Sequence, residues 1–363
     1  MDTGRDEVTG ARIAFIDAIR GIAALLVVLQ HGLTRSGLEH GGRAGAATDL
    51  LNLGETGVLA FFFVSGFIIP FSLEKYGSVG RFWINRVFRI YPLYLAVYAV
   101  ALCIYGPTLF DSLSKALPNI LAHLFLAQAY VGQKDLVLGS WTLSVEAVWY
   151  LGFSVLFLLS LHKCCRVAIG IAVALSAAAG ALSLAHIMRM PMGRVGLLVA
   201  CLWGLILYRH FDGSLGRRGA AWTSAVLLVV TVADLTIGFW LRPDTGPQTA
   251  SYRCVMLSWS LGAILFGVPY LTRSSAVWRH SFFSFIGRIS YSVYLVHGLV
   301  FALLMRNHVN GPILILAAFA VTVGLASLTH KYIERPAIRF SHRLGRVRPA
   351  SVPIRPPGAS SRA

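Results

Sequence analysis

One apolar run near the start of the chain decides its architecture: Ile16-Asp17-Ala18-Ile19-Arg20-Gly21-Ile22-Ala23-Ala24-Leu25-Leu26-Val27-Val28-Leu29-Gln30-His31. The run has the apolar character of a membrane-crossing helix, yet it contains three ionisable side chains, those of Asp17, Arg20 and His31. A charged side chain inside a membrane helix is costly, so it usually faces a cavity or a partner. The run therefore predicts a membrane helix with a functional face.

The spacing of the ionisable residues places them on one side of this helix. Arg20 and His31 are eleven residues apart, which is three turns plus about 20°, or roughly 16 Å along the axis. Asp17 precedes Arg20 by three residues and can pair with it. A purely structural interpretation is also open, in which Asp17 and Arg20 pair near the helix start and His31 lies at the membrane interface.

The composition excludes an ordinary soluble protein. Hydrophobic residues make up 56% of the 363 residues and charged residues only 13%, about half of the charged fraction of soluble domains. The net charge of +17 comes from basic residues at the ends of apolar runs, where they set membrane topology. We therefore expect membrane lipids around the protein and no nucleic acid as a partner.

The apolar runs predict an all-α, polytopic membrane bundle of about ten transmembrane helices, since most runs approach the roughly 20 residues that a bilayer requires. They cover about residues 13–33, 54–73, 88–106, 140–161, 166–187, 195–209, 219–240, 254–271, 283–304 and 311–331. Within the connection at 107–139, the apolar part at 120–130 is too short to span. We expect it at the interface or packed under the bundle.

The distribution of basic residues predicts the orientation. One set of connections, which includes both termini, holds 22 Lys and Arg residues, whereas the other set holds 9. By the positive-inside rule both termini are cytoplasmic. The predicted organisation is a cytoplasmic segment at 1–12, a membrane domain at 13–338 that Glu334-Arg335-Pro336 closes, and a disordered basic cytoplasmic tail at 339–363.

Two arginines precede the third apolar run. Arg86 and Arg89 are three residues apart, so they share one side of a helix that begins there. Two guanidinium groups at a cytoplasmic helix start suit a phosphate-bearing ligand through bidentate contacts. Arg20 lies near the same membrane face, so the three arginines can converge. The alternative is that Arg86 and Arg89 only set the topology.

Polar residues also open the fourth span, in Ser140-Trp141-Thr142-Leu143-Ser144-Val145-Glu146. Glu146 lies roughly two turns into the membrane, at the depth expected for His31. A carboxylate beside an imidazole fixes its tautomer and raises its basicity, as a general base requires. A structural hydrogen bond between two helices is the alternative role for Glu146.

Other polar groups lie in the second and ninth spans. Ser65 is part of Phe61-Phe62-Phe63-Val64-Ser65-Gly66-Phe67, a pattern typical of close helix contact. Tyr291 and Ser292 lie on the ninth span, where such side chains often join membrane helices; for His297, on the same span, packing and a functional role both stay open. The histidines and cysteines lack the spacing of a metal site, so we expect no metal.

These motifs together resemble those of acyltransferase family 3, whose members are bacterial integral-membrane O-acyltransferases that modify surface glycans and some secondary metabolites. The resemblance covers about residues 13–336 and rests on six motifs in the same order. They are Arg20 with His31, Phe62-Phe63-Val64-Ser65-Gly66-Phe67, Arg86-Val87-Phe88-Arg89, Trp141-Thr142-Leu143-Ser144-Val145-Glu146, Ser290-Tyr291-Ser292-Val293-Tyr294-Leu295-Val296-His297 and Glu334-Arg335-Pro336. Two positions depart from the family pattern: Ala18-Ile19 replaces Gly-Leu, and Ala147 stands where a second acid is often found.

The resemblance implies roles for individual residues. His31 and Glu146 are expected to be catalytic, and Arg20, Arg86 and Arg89 to bind the donor. Supporting roles are expected for Asp17, Ser65, Trp141, Ser144, Tyr291 and His297. The implied location is the bacterial inner membrane, with no tightly bound cofactor.

The resulting hypothesis is an O-acyltransferase reaction. Acyl-CoA, in the first instance acetyl-CoA, docks on the arginines, and His31 either deprotonates an acceptor hydroxyl or accepts the acyl group itself. The acceptor is a cell-surface or lipid-linked glycan. The alternatives are a small secondary metabolite such as a macrolide as acceptor, or a proton-coupled transporter that uses the buried charges as a relay. A second copy of the chain or a glycan-assembly protein could be a further partner.

Overall fold

The computed structural model describes residues 13–37, 50–243 and 250–344. The N-terminal segment at 1–12 and the part of the predicted tail at 345–363 lie outside the described residues. Within the described ranges the chain is all-α, without a β-strand. The predicted helical class is therefore confirmed for this part of the chain.

Twelve α-helices follow one another in the described ranges. They are α1 (Ala14–Arg35), α2 (Leu53–Tyr76), α3 (Val79–Leu109), α4 (Leu113–Leu124), α5 (Trp141–Leu158), α6 (Cys165–Leu184), α7 (Met192–Phe211), α8 (Arg217–Thr236), α9 (Tyr252–Leu271), α10 (Ser281–Arg306), α11 (Gly311–Thr329) and α12 (Arg335–Leu344). A π-helical turn extends α8 through Ile237–Leu241, and another at His330–Glu334 joins α11 to α12. A short 3₁₀ helix, Ala276–Arg279, precedes α10.

Ten helical segments are long and apolar enough to cross a membrane. Each predicted span has its counterpart among them, and the sixth, predicted at only 195–209, extends over Met192–Phe211. The protein is thus a multi-pass membrane protein. Both predicted cytoplasmic termini lie outside the described residues, so the side on which they lie stays a prediction.

Helix α1 lies between α2 and α10 at the centre of the bundle. Glycines make these close contacts possible, because a Cβ atom at Gly287 of α10 would lie only 2.3 Å from the carbonyl oxygen of Asp17. A Cβ atom at Gly66 of α2 would lie 2.0 Å from the carbonyl oxygen of Cys201 in α7. The expected helix contact at the second-span motif therefore occurs, through Gly66.

The connection between α3 and α5 contains α4. One side of this helix buries Asn119 and His123, and the other exposes leucines at helical spacing, at positions 113, 117, 121 and 124. An outward apolar stripe on a short helix suits the membrane interface. The ring of His123 is bonded to the Tyr94 hydroxyl (2.7 Å) and the Lys134 carbonyl (3.0 Å). Burial lowers the pKa of His123.

The C-terminal end of the bundle differs from the expectation. Glu334-Arg335-Pro336 does not stop the chain's helical path, and the first six residues of the predicted tail, 339–344, belong to α12. Pro336 comes just after the π-helical turn His330–Glu334, where the α-helical hydrogen-bond pattern is already interrupted. Ser341 donates a hydrogen bond to Asn85 Oδ1 (2.8 Å), and Phe340 packs on Phe88 of α3. Contacts with α3 thus order this segment.

Candidate active site

A cavity of about 470 Å³ opens between α1, α2, α3, α5 and α10. Its lining includes Lys75 at the end of α2 and Phe61 fourteen residues earlier on that helix, so it extends roughly 21 Å along the axis. Seven of the predicted site residues line it: Asp17, Arg20, Ser65, Arg86, Arg89, Glu146 and Tyr291. We call this space the arginine cavity. The end of the bundle at which Lys75, Arg86 and Arg89 lie is called the basic end.

Arg86 is fixed at the wall of the arginine cavity. Its Nη2 donates a hydrogen bond to Ser72 Oγ (2.8 Å), and its guanidinium carbon lies 5.3 Å from the centroid of the Phe82 ring and 5.7 Å from that of Tyr150. Its buried Nε has no hydrogen-bond partner among the described residues. Stacking on aromatic rings fixes the planar guanidinium at the cavity wall, and this planar group can bind an anion through two bonds.

Glu146 lies in the arginine cavity with the arginines, and its contacts differ from those expected. Its Oε1 accepts hydrogen bonds from Ser65 Oγ (3.0 Å) and from the hydroxyl of Tyr150, four residues later on α5. The ring of His31 instead stacks on another histidine. Ser65 and Tyr150 satisfy the carboxylate because α2 and α5 meet at this depth.

Two imidazole rings stack beyond the inner end of the cavity. The centroids of His31 on α1 and His297 on α10 are 5.3 Å apart, with 22° between the planes. Nδ1 of His297 lies 2.6 Å from the carbonyl oxygen of Tyr294 and must donate, because a carbonyl only accepts. In the neutral ring Nε2 therefore carries a lone pair, and this fully buried atom has no partner in the structure. His297 thus presents a free acceptor beside His31.

Tyr294 separates the arginine cavity from the imidazole pair. Its ring lines the cavity, and its centroid lies 5.7 Å from that of Phe61 and 5.9 Å from that of His297. The hydroxyl of Tyr294 bonds to Thr142 Oγ1 (2.9 Å) and the carbonyl of Gly139 (3.1 Å). These bonds tie the ring to the start of α5 and make it a wall between two polar spaces.

Other motif residues lie away from the arginine cavity. Trp141 faces Arg194, whose guanidinium carbon is 5.9 Å from its ring, and Ser144 is fully buried within α5. Glu334 is buried and accepts hydrogen bonds from Ser292 (2.9 Å) and His330 (3.0 Å). These contacts join α10 to the end of α11, which is a structural role.

Among the cavity residues that were not predicted as site residues, Ser72, Tyr150 and Tyr294 contact predicted ones. Tyr150 follows Glu146 by four residues, so helical spacing could have indicated it. Tyr294 precedes His297 by three residues, which gives the same signal. Ser72 had no signal in the sequence, because its role depends on where α3 places Arg86.

Together these features describe a multi-pass helix bundle with a cavity lined by three arginines, next to a pair of stacked imidazoles. The family comparison gives the chemistry. A family model described as an acyltransferase domain matches residues 13–331. The chain belongs to this acyltransferase 3 family and is an acyltransferase. No solved structure gives a significant match to it.

Several relatives are similar to this chain. Nodulation protein 10 of Rhizobium leguminosarum bv. viciae is 25% identical over 94% of this chain and 97% of its own length. Exopolysaccharide production protein ExoZ of Rhizobium meliloti is 24% identical over 79% of this chain and 90% of its own. Acyltransferase MdmB of Streptomyces mycarofaciens is 29% identical, but the match covers only 39% of this chain and 38% of MdmB.

Proposed function

We propose that the protein transfers an acetyl group from cytoplasmic acetyl-CoA to a hydroxyl group of a cell-surface or lipid-linked glycan. One observation carries this proposal: the arginine cavity ends at Tyr294, directly against the stacked imidazoles of His31 and His297. The phosphates of the donor would bind at the basic end. Its thioester would reach the imidazoles at the other end of the cavity.

Donor binding rests on the arginines. Arg20, Arg86 and Arg89 line the same space. Guanidinium groups bind phosphate oxygens through short, charge-assisted hydrogen bonds. The carboxylates do not cancel this attraction fully, because Asp17 and Glu146 line the cavity together with four basic side chains, three arginines and one lysine.

The transfer step uses His31 as general base. The acceptor oxygen attacks the thioester carbonyl carbon, its proton moves to His31, and the carbon–sulfur bond breaks. The proton then passes to the departing thiolate, which leaves as the CoA thiol. His297 positions the ring of His31 by stacking against it. The thioester reaches this point between Phe61 and Tyr294, which must separate to admit it.

The relatives support a glycan acceptor over a macrolide. ExoZ, which aligns with 79% of this chain, is named for exopolysaccharide production. MdmB, named only as an acyltransferase, aligns over 39% of the chain. Membership in the acyltransferase family also favours this reaction over the transporter alternative. We place the enzyme in the bacterial inner membrane, with the basic end toward the cytoplasm.

Mass spectrometry of cell-surface polysaccharide tests the proposal. A deletion strain is complemented with the wild-type gene, with His31→Ala or with His280→Ala, an exposed histidine outside the arginine cavity. We expect acetyl groups to return with the wild type and His280→Ala only. Normal acetylation with His31→Ala would refute the role of His31. Identical polysaccharide with and without the gene would refute the glycan acceptor.

A further inference from the structure

A second cavity, of about 260 Å³, opens at the end of the bundle opposite to the basic end. It lies between Arg35 at the end of α1, Tyr105 of α3, Gly298 of α10, and the segment 134–138 that precedes α5. We call it the far cavity. None of its lining residues lines the arginine cavity.

The far cavity borders the imidazole pair. Arg35 follows His31 by one helical turn, and its guanidinium carbon lies 5.5 Å from the centroid of the Phe301 ring. That ring meets His297 edge-on at 6.4 Å, and His297 stacks on His31. Gly298, the residue after His297, lines the cavity directly. The two histidines therefore lie between the far cavity and the wall formed by Tyr294.

The charges of the far cavity favour an anionic ligand. Arg35 is half-buried, and within the described ranges neither Arg35 nor Lys134 forms an ion pair with a carboxylate. Asp135 also lines the cavity, where its Oδ1 accepts a hydrogen bond from Ser140 Oγ (2.8 Å), and the two cations outnumber this one carboxylate. A partly buried guanidinium without an anion is an unfavourable arrangement. A carboxylate or phosphate between Arg35 and Lys134 would relieve it.

Hydrogen bonds fix the segment 134–138, which we call the roof of the far cavity. The carbonyl of Lys134 accepts hydrogen bonds from Asn119 Nδ2 (3.0 Å) and His123 Nε2 (3.0 Å). Gly139 is bound by the Tyr294 hydroxyl. A pre-formed site loses less entropy when a ligand binds. The volume of the far cavity is smaller than the roughly 300–1,000 Å³ of pockets for drug-sized ligands. A cavity of this size suits a single sugar ring.

We propose that the far cavity is the acceptor site, and that its acceptor is a sugar residue carrying an anionic group, a carboxylate or a phosphate, near the hydroxyl to be acetylated. The anion binds between Arg35 and Lys134, and the hydroxyl points to the imidazole pair. This proposal rests on the proposed function in taking the bound sugar as the acetyl acceptor. It adds the chemical class of that sugar and the residues that select it.

Binding measurements on the purified full chain in detergent test the acceptor site without requiring catalysis. The probes are methyl glucuronide, glucose 6-phosphate and neutral methyl glucoside, titrated by calorimetry. We expect one anionic probe to bind at least about tenfold tighter than methyl glucoside, and its identity distinguishes carboxylate from phosphate. Arg35→Gln and Lys134→Gln should each remove this preference. Arg306→Gln, an exposed arginine at the same end, should retain it.

A variant that crowds the far cavity gives a second, independent test of the acceptor site. A Cβ atom at Gly298 would lie 2.6 Å from Leu138 Cβ, so Gly298→Ala should shift the roof and weaken binding of every probe. Acetyl-CoA affinity, measured on the same samples, should stay unchanged. Equal binding of the three probes, or an anion preference that survives both charge exchanges, would overturn the proposal. Absence of acetyl-CoA binding to the wild type would instead overturn the proposed function.

Discussion

Replacing Arg86 tests donor binding most directly. Its guanidinium lines the arginine cavity and uses only Nη2, for a hydrogen bond to Ser72, so N–H groups remain for a pair of hydrogen bonds to a phosphate. Each hydrogen bond to a charged group contributes about 1.5–3 kcal/mol. Loss of the pair in Arg86→Gln should cost about 3 kcal/mol and weaken acetyl-CoA binding by about 100-fold. Arg86→Lys keeps the positive charge but lacks the planar pair of N–H donors, so acetyl-CoA should bind about tenfold more weakly than to the wild type.

Calorimetric titration of acetyl-CoA into the purified variants measures these losses. Arg81→Gln is the matched control, because Arg81 is an exposed arginine on the same helix and does not line the arginine cavity. Equal affinities for Arg86→Gln and Arg81→Gln would refute donor binding at Arg86 and leave it a topological charge.

Three further predictions concern packing, the imidazole pair and acid stability. Gly66→Ala should prevent the protein from folding, because its Cβ would lie 2.0 Å from the Cys201 carbonyl oxygen. Gel filtration measures the yield of folded protein. The control Gly152→Ala has open space at its Cβ and should be folded and no less stable than the wild type. His297→Gln should lower kcat by about 100-fold with an unchanged KM for acetyl-CoA; a raised KM alone would place His297 in donor binding. Burial lowers the pKa of His123 in the folded chain, so the unfolded chain binds a proton at a higher pH than the folded chain does. The free energy of unfolding should therefore decrease as the pH drops below about 6.5. The melting temperature of His123→Gln should respond less to acid than that of the wild type, and parallel curves would contradict this.

The membrane architecture was predictable because it depends on local composition. A run of about 20 apolar residues has few alternatives to a membrane helix, so the ten spans follow from the sequence. The helical period also predicts a shared face for Asp17 and Arg20, and the structure places both at the arginine cavity. Arg86 and Arg89 line it for the same reason.

Contacts between helices could not be predicted in this way. The sequence places Glu146 at the depth of His31, but only the register between α2 and α5 brings Ser65 to its carboxylate. The end of the bundle shows the same limit. Pro336 indicated a stop, whereas Asn85 of α3 binds Ser341 and extends the order beyond it. The far cavity depends on an irregular segment, 134–138, for which no periodic pattern exists.

The wall formed by Tyr294 has an electrical consequence. Its hydroxyl is tied to Thr142 and Gly139, so the two cavities do not join into an aqueous pore. If an acetyl group is exchanged at this plane for the proton of the acceptor hydroxyl, no net charge moves between the leaflets, while the charged donor and acceptor stay on their own sides. Turnover in sealed vesicles should then be insensitive to the transmembrane voltage, and the resting enzyme should leak neither protons nor salt.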